Sequence, residues 1–385
     1  MDEKKISQIL NELGEEGFAF NPVSVPIYET SNFFFASFQE LKNALQHEAG
    51  VHLYSRGKNP TVEVFEQKIA ALEGGEKAKL FAAGVAAISA ATMAFLHSGD
   101  HVVCIRDCYS WTNTLFTQYL KRFQIDVTFV EGRDLKEWED AICQNTKLFY
   151  LESPTTFSFQ LQDIRAVAQL AKERKIKTVI DNSWATSYFQ NPIELGIDLV
   201  VHSCSKYIGG HSDVVGGVVI GSEADIDHIF NTEFLNIGAA PGPFESWLLL
   251  RGLRTLPVRM RQHQQNTAEV LRFLQNHPHI EALYYPFHPS HPQYELAQQQ
   301  MRGGSGLFSF QLKTREIEAI ERFTNALKYF KRAVSWGGYE SLILPYAATG
   351  ADDPERISIV RIHIGLEEPA LLIDDLSQAL KQLVS

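Results

Sequence analysis

The stretch GIDLVVHSCSKYIGGHSD, residues 196–213, decides how the rest of the chain is read. Its first part, GIDLVVH, is a short apolar run opened by a glycine, the pattern of a strand buried on both faces. Its second part sets one lysine, Lys206, beside small hydroxylated residues and follows it with two glycines and HSD. A surface lysine needs no such setting. The stretch is built to bring an amine and an anion-binding turn to one ligand.

Working outward, similar short apolar runs recur: KAKLFAA (77–83), HVVCI (101–105), DVTFV (126–130), KLFYLE (147–152), KTVID (177–181) and DLVVHS (198–203). Helical patterns such as GVAAISAATMAFL (84–96) and DIRAVAQLAKER (163–174) lie between them. This alternation predicts an α/β fold, a mostly parallel sheet covered by helices, with ligands bound beyond the carboxyl ends of the strands. VEVFEQKIAALEGG (62–75) reads as an amphipathic helix with Val62, Phe65, Ile69 and Leu72 on one face, ended by glycine. Residues 1–50, with the extended VPIYETSNFFF (25–35), read as an N-terminal arm that packs on something else. Residues 51–243 form the large ligand-binding domain and 244–385 a smaller C-terminal α/β domain. The latter opens with one long helix after the Pro/Gly break of APGPFESWLLLRGLRTLPVRM (240–260) and has another near 263–275. It holds strands in GLFSFQL (306–312) and IVRIHIG (359–365), then a final helix with the stripe Ile373, Leu376, Leu380 and Leu383.

A chain of 385 residues with 45 % apolar and 21 % charged residues is an ordinary globular composition. Its formal charge of −11 argues against nucleic-acid binding and against attraction to an anionic membrane. Cys104, Cys108, Cys143 and Cys204 form no CxxC pair and no zinc spacing, so we expect reduced thiols, a cytoplasmic protein and no metal. HPSHP (288–292) reads as a rigid loop. The charged N-terminus carries no signal-peptide core, and no run approaches the ~20 apolar residues of a membrane span.

Strand KTVID ends in Asp181, and Lys206 follows the next strand. Alone, Asp181 reads equally as a turn or capping carboxylate, and Lys206 as a solvated lysine. Together they present an acid and an amine to one pocket, which suits pyridoxal 5'-phosphate. The lysine bonds the aldehyde, and the carboxylate keeps the pyridine nitrogen protonated so that the ring acts as an electron sink. A phosphate finds donors at Gly84 and Val85, at the mouth of a helix. Ser203 and Ser205, at alternate positions, point the same way and add hydroxyls. YSRGKNPT (54–61) offers Tyr54 and Arg56, and its position before the first sheet element suggests that it reaches a neighbouring subunit's site. Tyr109, after strand HVVCI, is an aromatic on which a ring can stack; packing is the alternative for it and for Trp111.

These motifs resemble the Cys/Met-metabolism pyridoxal-phosphate enzymes, which include the cystathionine γ-synthases, cystathionine γ- and β-lyases and methionine γ-lyases. The resemblance runs through YSRGKNPT, AAGVAA, Tyr109, ESPTT (152–156), DNSWA (181–185), VVHSCSKYIGGHSDVVGG (200–217), LLLRGLRTL (248–256), SWGGYESL (335–342) and VRIHIGLE (360–367). It implies the type I aminotransferase-like fold and a homotetramer of two active dimers. It further implies that Lys206 is the cofactor lysine and proton shuttle, Asp181 the partner of the pyridine nitrogen and Tyr109 the stacking residue. Gly84, Val85, Ser203 and Ser205 would be phosphate ligands, joined by Tyr54 and Arg56 from the adjacent subunit. Arg361 would clamp the substrate's α-carboxylate with help from Ser335.

The sequence departs from the family pattern at Ala83, Ser110, Thr156, Trp184 and Trp336, and Val334 stands where γ-specific members commonly carry glutamate. Thr156 replaces an asparagine of the ESPTNP pattern. Trp184, Trp336, Thr156 and Val334 favour α,β-elimination from L-cystathionine or related cysteine conjugates, giving thiol, pyruvate and ammonia. Cystathionine γ-synthase or γ-lyase chemistry in the same fold is the alternative. Intact Lys206, Asp181, Tyr109 and Arg361 speak against a non-catalytic relative.

Overall fold

The computed structural model describes residues 2–46, 48–350 and 353–384. Seven strands build the larger sheet: β1 (Lys77–Phe81), β2 (His101–Ile105), β3 (Asp126–Val130), β4 (Thr146–Glu152), β5 (Lys177–Asp181), β6 (Leu199–Ser203) and β7 (Gly217–Gly221). Their spatial order is β1-β7-β6-β5-β4-β2-β3. The pairs from β3 through β6 are parallel, while β7 runs antiparallel to both β6 and β1. The sheet is therefore mostly parallel, as expected. The one reversed strand was hidden in the sequence, because its GVVIG follows directly on the glycine-rich turn after Lys206.

Burial explains the near-continuous apolar runs. Val179, Ile180, Leu199 and Val200 are fully buried between layers of helices. The helix Pro60–Glu73 packs on β1 and β7, and the helix Gly84–Met93 on β6 and β7. The former starts at the Asn59 cap, whose side chain accepts from Thr61 N, and stops at Gly74, where φ is 83°. Its expected face is the one buried: Phe65 and Ile69 are wholly enclosed, Val62 and Leu72 nearly so. Each such side chain contributes about 1.5–3 kcal/mol relative to exposure.

The second sheet comprises β8 (Ile280–Tyr284), β9 (Leu307–Leu312), β10 (Lys331–Arg332), β11 (Leu342–Pro345) and β12 (Ile359–His363), in the order β10-β11-β12-β9-β8. Alternation along β12 gives Val360 and Ile362 to the core and turns Arg361 to the other face. Between the sheets, the expected single helix after residue 240 is two, Pro243–Arg254 and Leu256–Leu274. Pro257 is the cause. It has no N–H to donate and its ring would crowd the preceding turn, so the first helix ends and Pro257 opens the second. The helix expected near 263–275 is thus the end of an element that starts at Leu256. On the final helix, Pro369–Leu380, the buried stripe is Leu372, Leu376, Ala379 and Leu380, with Ile373 and Leu383 at its flanks.

The N-terminal helix Glu3–Asn11 packs through Ile6, Ile9 and Leu10. It is tied down by buried Lys68, whose Nζ donates to Ile9 O at 2.8 Å and pairs with Glu15 at 2.9 Å. Beyond it Phe20, Val23, Phe34 and Phe38 lie almost bare, Phe34 at 95 % exposure. Among the described residues no helix is long and apolar enough to cross a membrane. No group of three or more His, Cys, Asp or Glu among them is arranged to hold a metal ion.

Candidate active site

Adjacent parallel strands deliver the site. β4, β5 and β6 end side by side in Glu152, Asp181 and, just past Ser203, Lys206. Asp181 is buried, and Oδ1 accepts from Ser183 N at 2.9 Å. Burial raises its carboxyl above the usual range, against the opposing pull of Ser183, His202 and Lys206. It forms no ion pair among the described residues. A buried carboxylate without a cation is the feature that a protonated ring nitrogen would satisfy.

Lys206 is half-buried and its Nζ donates to Ser335 Oγ at 2.6 Å. Its ammonium lies 5.6 Å from the Trp336 ring centroid. Loss of hydration first, and the Arg361 charge second, lower its pKa to about 8. The Ser335–Gly338 segment is pressed against the lysine backbone. A Cβ on Gly337, where φ is 92°, would come within 2.7 Å of Tyr207 N and 2.8 Å of Lys206 C. Ser335 itself has φ of 76°, a costly backbone state for a residue with a side chain. His363 anchors the segment by accepting from Gly337 N at 3.2 Å.

An anion site lies across the cleft. Ala83 caps the helix Gly84–Met93 without any side-chain hydrogen bond; Ala86 N donates to Ala83 O at 3.1 Å, which leaves Gly84 N and Val85 N to a ligand. A Cβ on Gly84 would sit 3.0 Å from both Cβ and Oγ of Ser203, so only glycine permits this approach. Ser205 arrives by another route than expected. β6 ends at Ser203 and the chain turns, so strict alternation no longer applies. Ser205 Oγ accepts from Gly216 N at 3.1 Å. Gly216 precedes Gly217, where a Cβ would come within 2.6 Å of Gly84 Cα. Both serines therefore border the Gly84 turn. Val85 is 42 % exposed there.

Tyr109 follows β2 and presents an exposed phenol ring, while its backbone N donates to Glu152 Oε2 at 2.7 Å. Burial, then the Asp181 and Glu152 charges, raise its pKa. Arg361 Nη1 donates to Thr156 Oγ1 at 3.0 Å. Its guanidinium forms no ion pair among the described residues, and burial lowers its pKa to about 10. Tyr54 and Arg56 stand apart. They are exposed, stacked on each other at 5.3 Å, and Arg56 meets Glu48 at 3.9 Å. Among the described residues nothing joins them to Lys206 or Gly84.

The sequence reading passed over Glu152. It closes β4 as Asp181 closes β5, so the same strand-end argument would have found it. Crowding by protein, then Asp181, raises its carboxyl well above the ordinary range. Ser183 and the buried His202–Glu73 hydrogen bond, 2.9 Å, support the Asp181 strand end. Trp184, singled out as a specificity marker, is a core residue. It donates from Nε1 to Leu307 O at 2.9 Å and packs on Phe159 and Tyr285. Trp111 lines a groove of about 340 Å³ with Val85, Ser89 and Tyr119, alongside the helix that carries Gly84.

An amine at depressed pKa, an unpaired buried carboxylate, an aromatic face and a glycine-gated helix mouth fit pyridoxal phosphate part by part. The family model for the Cys/Met metabolism PLP-dependent enzymes matches residues 7–381. The chain belongs to that family. Among relatives of this PLP-dependent enzyme, a cystathionine gamma-lyase of Bacillus subtilis is 39 % identical over 373 residues, 94 % of this chain and 95 % of its own. An L-methionine gamma-lyase of Porphyromonas gingivalis is 38 % identical over 381 residues, 95 % of this chain and 94 % of its own. A cystathionine gamma-synthase of Mycobacterium tuberculosis is 38 % identical over 368 residues, 94 % and 93 % respectively. The crystal structure of metB from Corynebacterium glutamicum superposes with a TM-score of 0.91 at 34 % identity, covering 98 % of both chains. The fold is thus that of the PLP-dependent family, and the chain is a PLP-dependent enzyme of sulfur amino-acid metabolism.

Proposed function

We propose that this enzyme is a carbon–sulfur lyase that performs α,β-elimination on L-cystathionine or a related cysteine conjugate, releasing a thiol, pyruvate and ammonia. The observation that carries the choice of β chemistry is the wall above Lys206. Val334, 75 % exposed, precedes Ser335, and Trp336 follows it, so the positions that flank Ser335 offer no carboxylate to a distant substrate amine. The γ-lyase and γ-synthase names of the relatives support the second reading, γ-elimination or γ-replacement in the same site.

Lys206, Asp181, Tyr109, Gly84, Val85, Ser203 and Ser205 would hold pyridoxal phosphate, which when bound supplies an electron sink for the Cα carbanion. Arg361 grips the α-carboxylate with two N–H groups and thereby orients the Cα–H bond. Lys206 Nζ, free of charge above a pKa of about 8, takes the α-proton. Ser335 Oγ holds that amine in place between transfers. Lys206 or Tyr109 returns a proton to the departing thiolate, and Asp181 would balance the positive charge of the cofactor's ring nitrogen. Positioned proton transfer of this kind accelerates a reaction by about 10²–10⁴-fold.

The reading includes a homotetramer in which the bare arm residues Phe20, Phe34 and Phe38 are covered. Exposed Tyr54 and Arg56 then complete a neighbour's phosphate site. Four free thiols agree with a cytoplasmic location. The test is the keto acid released from L-cystathionine by the cofactor-loaded protein. Pyruvate with homocysteine is expected. 2-Oxobutanoate with cysteine would overturn β-elimination in favour of the second reading.

A further inference from the structure

The loop after β4 holds the carboxylate clamp from two sides. Thr156 accepts from Arg361 Nη1 at 3.0 Å, and the Phe157 ring centroid lies 5.0 Å from the centre of the Arg361 guanidinium. Phe157 is in turn braced edge-on by Tyr346 at 5.3 Å. A guanidinium this enclosed, with no ion pair among the described residues, needs something to fix its plane before substrate arrives. The hydroxyl and the ring face supply that.

The loop is rigid enough for the task. Phe157 has φ of 59°, a sparsely populated state that persists only where surroundings over-determine it. Here they do. Thr156 N donates to Asp107 O at 3.1 Å and Thr155 N to Gln160 O at 2.9 Å. Ser158 Oγ donates to Asp107 Oδ2 at 2.9 Å. Asp107 is itself held by both terminal nitrogens of Arg356, each at 2.8 Å. Arg356 leads into β12, the strand that carries Arg361. The two sheets are therefore tied through Asp107, which lies two residues before Tyr109 and also holds the loop after β4.

We infer that Thr156 and Phe157 are positioning residues for Arg361, which set the plane of its guanidinium and so select ligands bearing an α-carboxylate. The inference rests on the reading of Arg361 as that clamp. A role in folding alone would weaken every ligand alike, whereas positioning of the clamp weakens only carboxylate-bearing ones.

The experiment titrates cofactor-loaded protein with L-alanine, which has no leaving group, and with ethylamine, its counterpart without the carboxylate. The cofactor's absorbance change reports binding. Thr156→Val and Phe157→Leu are expected to weaken L-alanine about fivefold to thirtyfold, the range of one charge-assisted hydrogen bond or cation–π contact. Ethylamine should stay within about twofold, and Thr156→Ser should recover most of the L-alanine affinity. Equal weakening of both ligands, or of neither, overturns the inference. Arg361→Gln separates the two levels. If it weakens L-alanine while the loop variants do not, the positioning role alone fails; if it leaves L-alanine unaffected, the clamp reading fails and the inference with it.

Discussion

Replacing Lys206 by methionine should abolish turnover and at the same time stabilise the cofactor-free chain. The environment that lowers Lys206 from 10.5 to about 8 does so mainly by stripping water from the ammonium. At about 1.4 kcal/mol per tenfold in the protonation equilibrium, holding that charge at neutral pH costs the folded apo chain about 3 kcal/mol at most. The sign follows from the direction. The folded-state value is depressed below the unfolded one, so the penalty is complete below about pH 8 and disappears as pH rises toward 10.5. Methionine keeps most of the volume and carries no charge, though it gives up the Ser335 hydrogen bond. With an unfolding entropy of about 2.1 cal/mol/K per residue, the gain is roughly 4 °C in melting temperature at pH 7, shrinking toward zero near pH 10. Thermal melts of apo wild type and apo Lys206→Met across that range measure it. A variant melting at or below wild type at pH 7, or a difference independent of pH, would refute the reasoning.

Other outcomes follow from neighbouring groups. Cofactor uptake by the apo protein should speed up with pH through a midpoint near 8, because only the uncharged Lys206 amine attacks an aldehyde. Arg361→Gln should move that midpoint upward, since the Arg361 charge helps to lower it; rapid-mixing absorbance across pH checks both. Gly337→Ala should abolish cofactor uptake or folded yield, as its Cβ meets the Lys206 backbone at 2.8 Å and its φ of 92° is strained for any side chain. His202→Leu should cost about 1–3 kcal/mol in urea unfolding, because it removes the 2.9 Å partner of one oxygen of the buried Glu73 carboxylate and leaves only Asn182 Nδ2, at 3.1 Å, on the other.

The strand ends were legible because burial and chemistry leave marks in composition. Asp181 alone reads equally as a capping carboxylate and Lys206 as a solvated lysine, but an acid and an amine that close successive apolar runs leave few structural alternatives. The amphipathic helix from Pro60 was equally plain, with its cap, period and terminal glycine all in register. Other features were illegible for definite reasons. The break at Thr255 lies inside a continuous helical pattern, which only Pro257 interrupts. The reversed β7 merges with the turn before it. Trp184 reads as a specificity marker in the sequence, yet its indole N–H donates to Leu307 O deep in the core, a contact with a residue 123 positions away that no local pattern announces. Tyr54 and Arg56 meet each other and Glu48, and among the described residues neither contacts Lys206 or Gly84.

By itself the sequence determined the layer architecture, the order of strands and helices, and the residue types gathered at the strand ends, since these depend on local periodicity and on what burial tolerates. Only the tertiary structure decided which distant groups act together. Ser335 reaches Lys206, Thr156 and Phe157 grip Arg361, and Asp107 locks onto Arg356. The partners in these contacts lie far apart in the chain. No period links them, because their proximity is set by the packing of two sheets against each other and not by the local propensities of either.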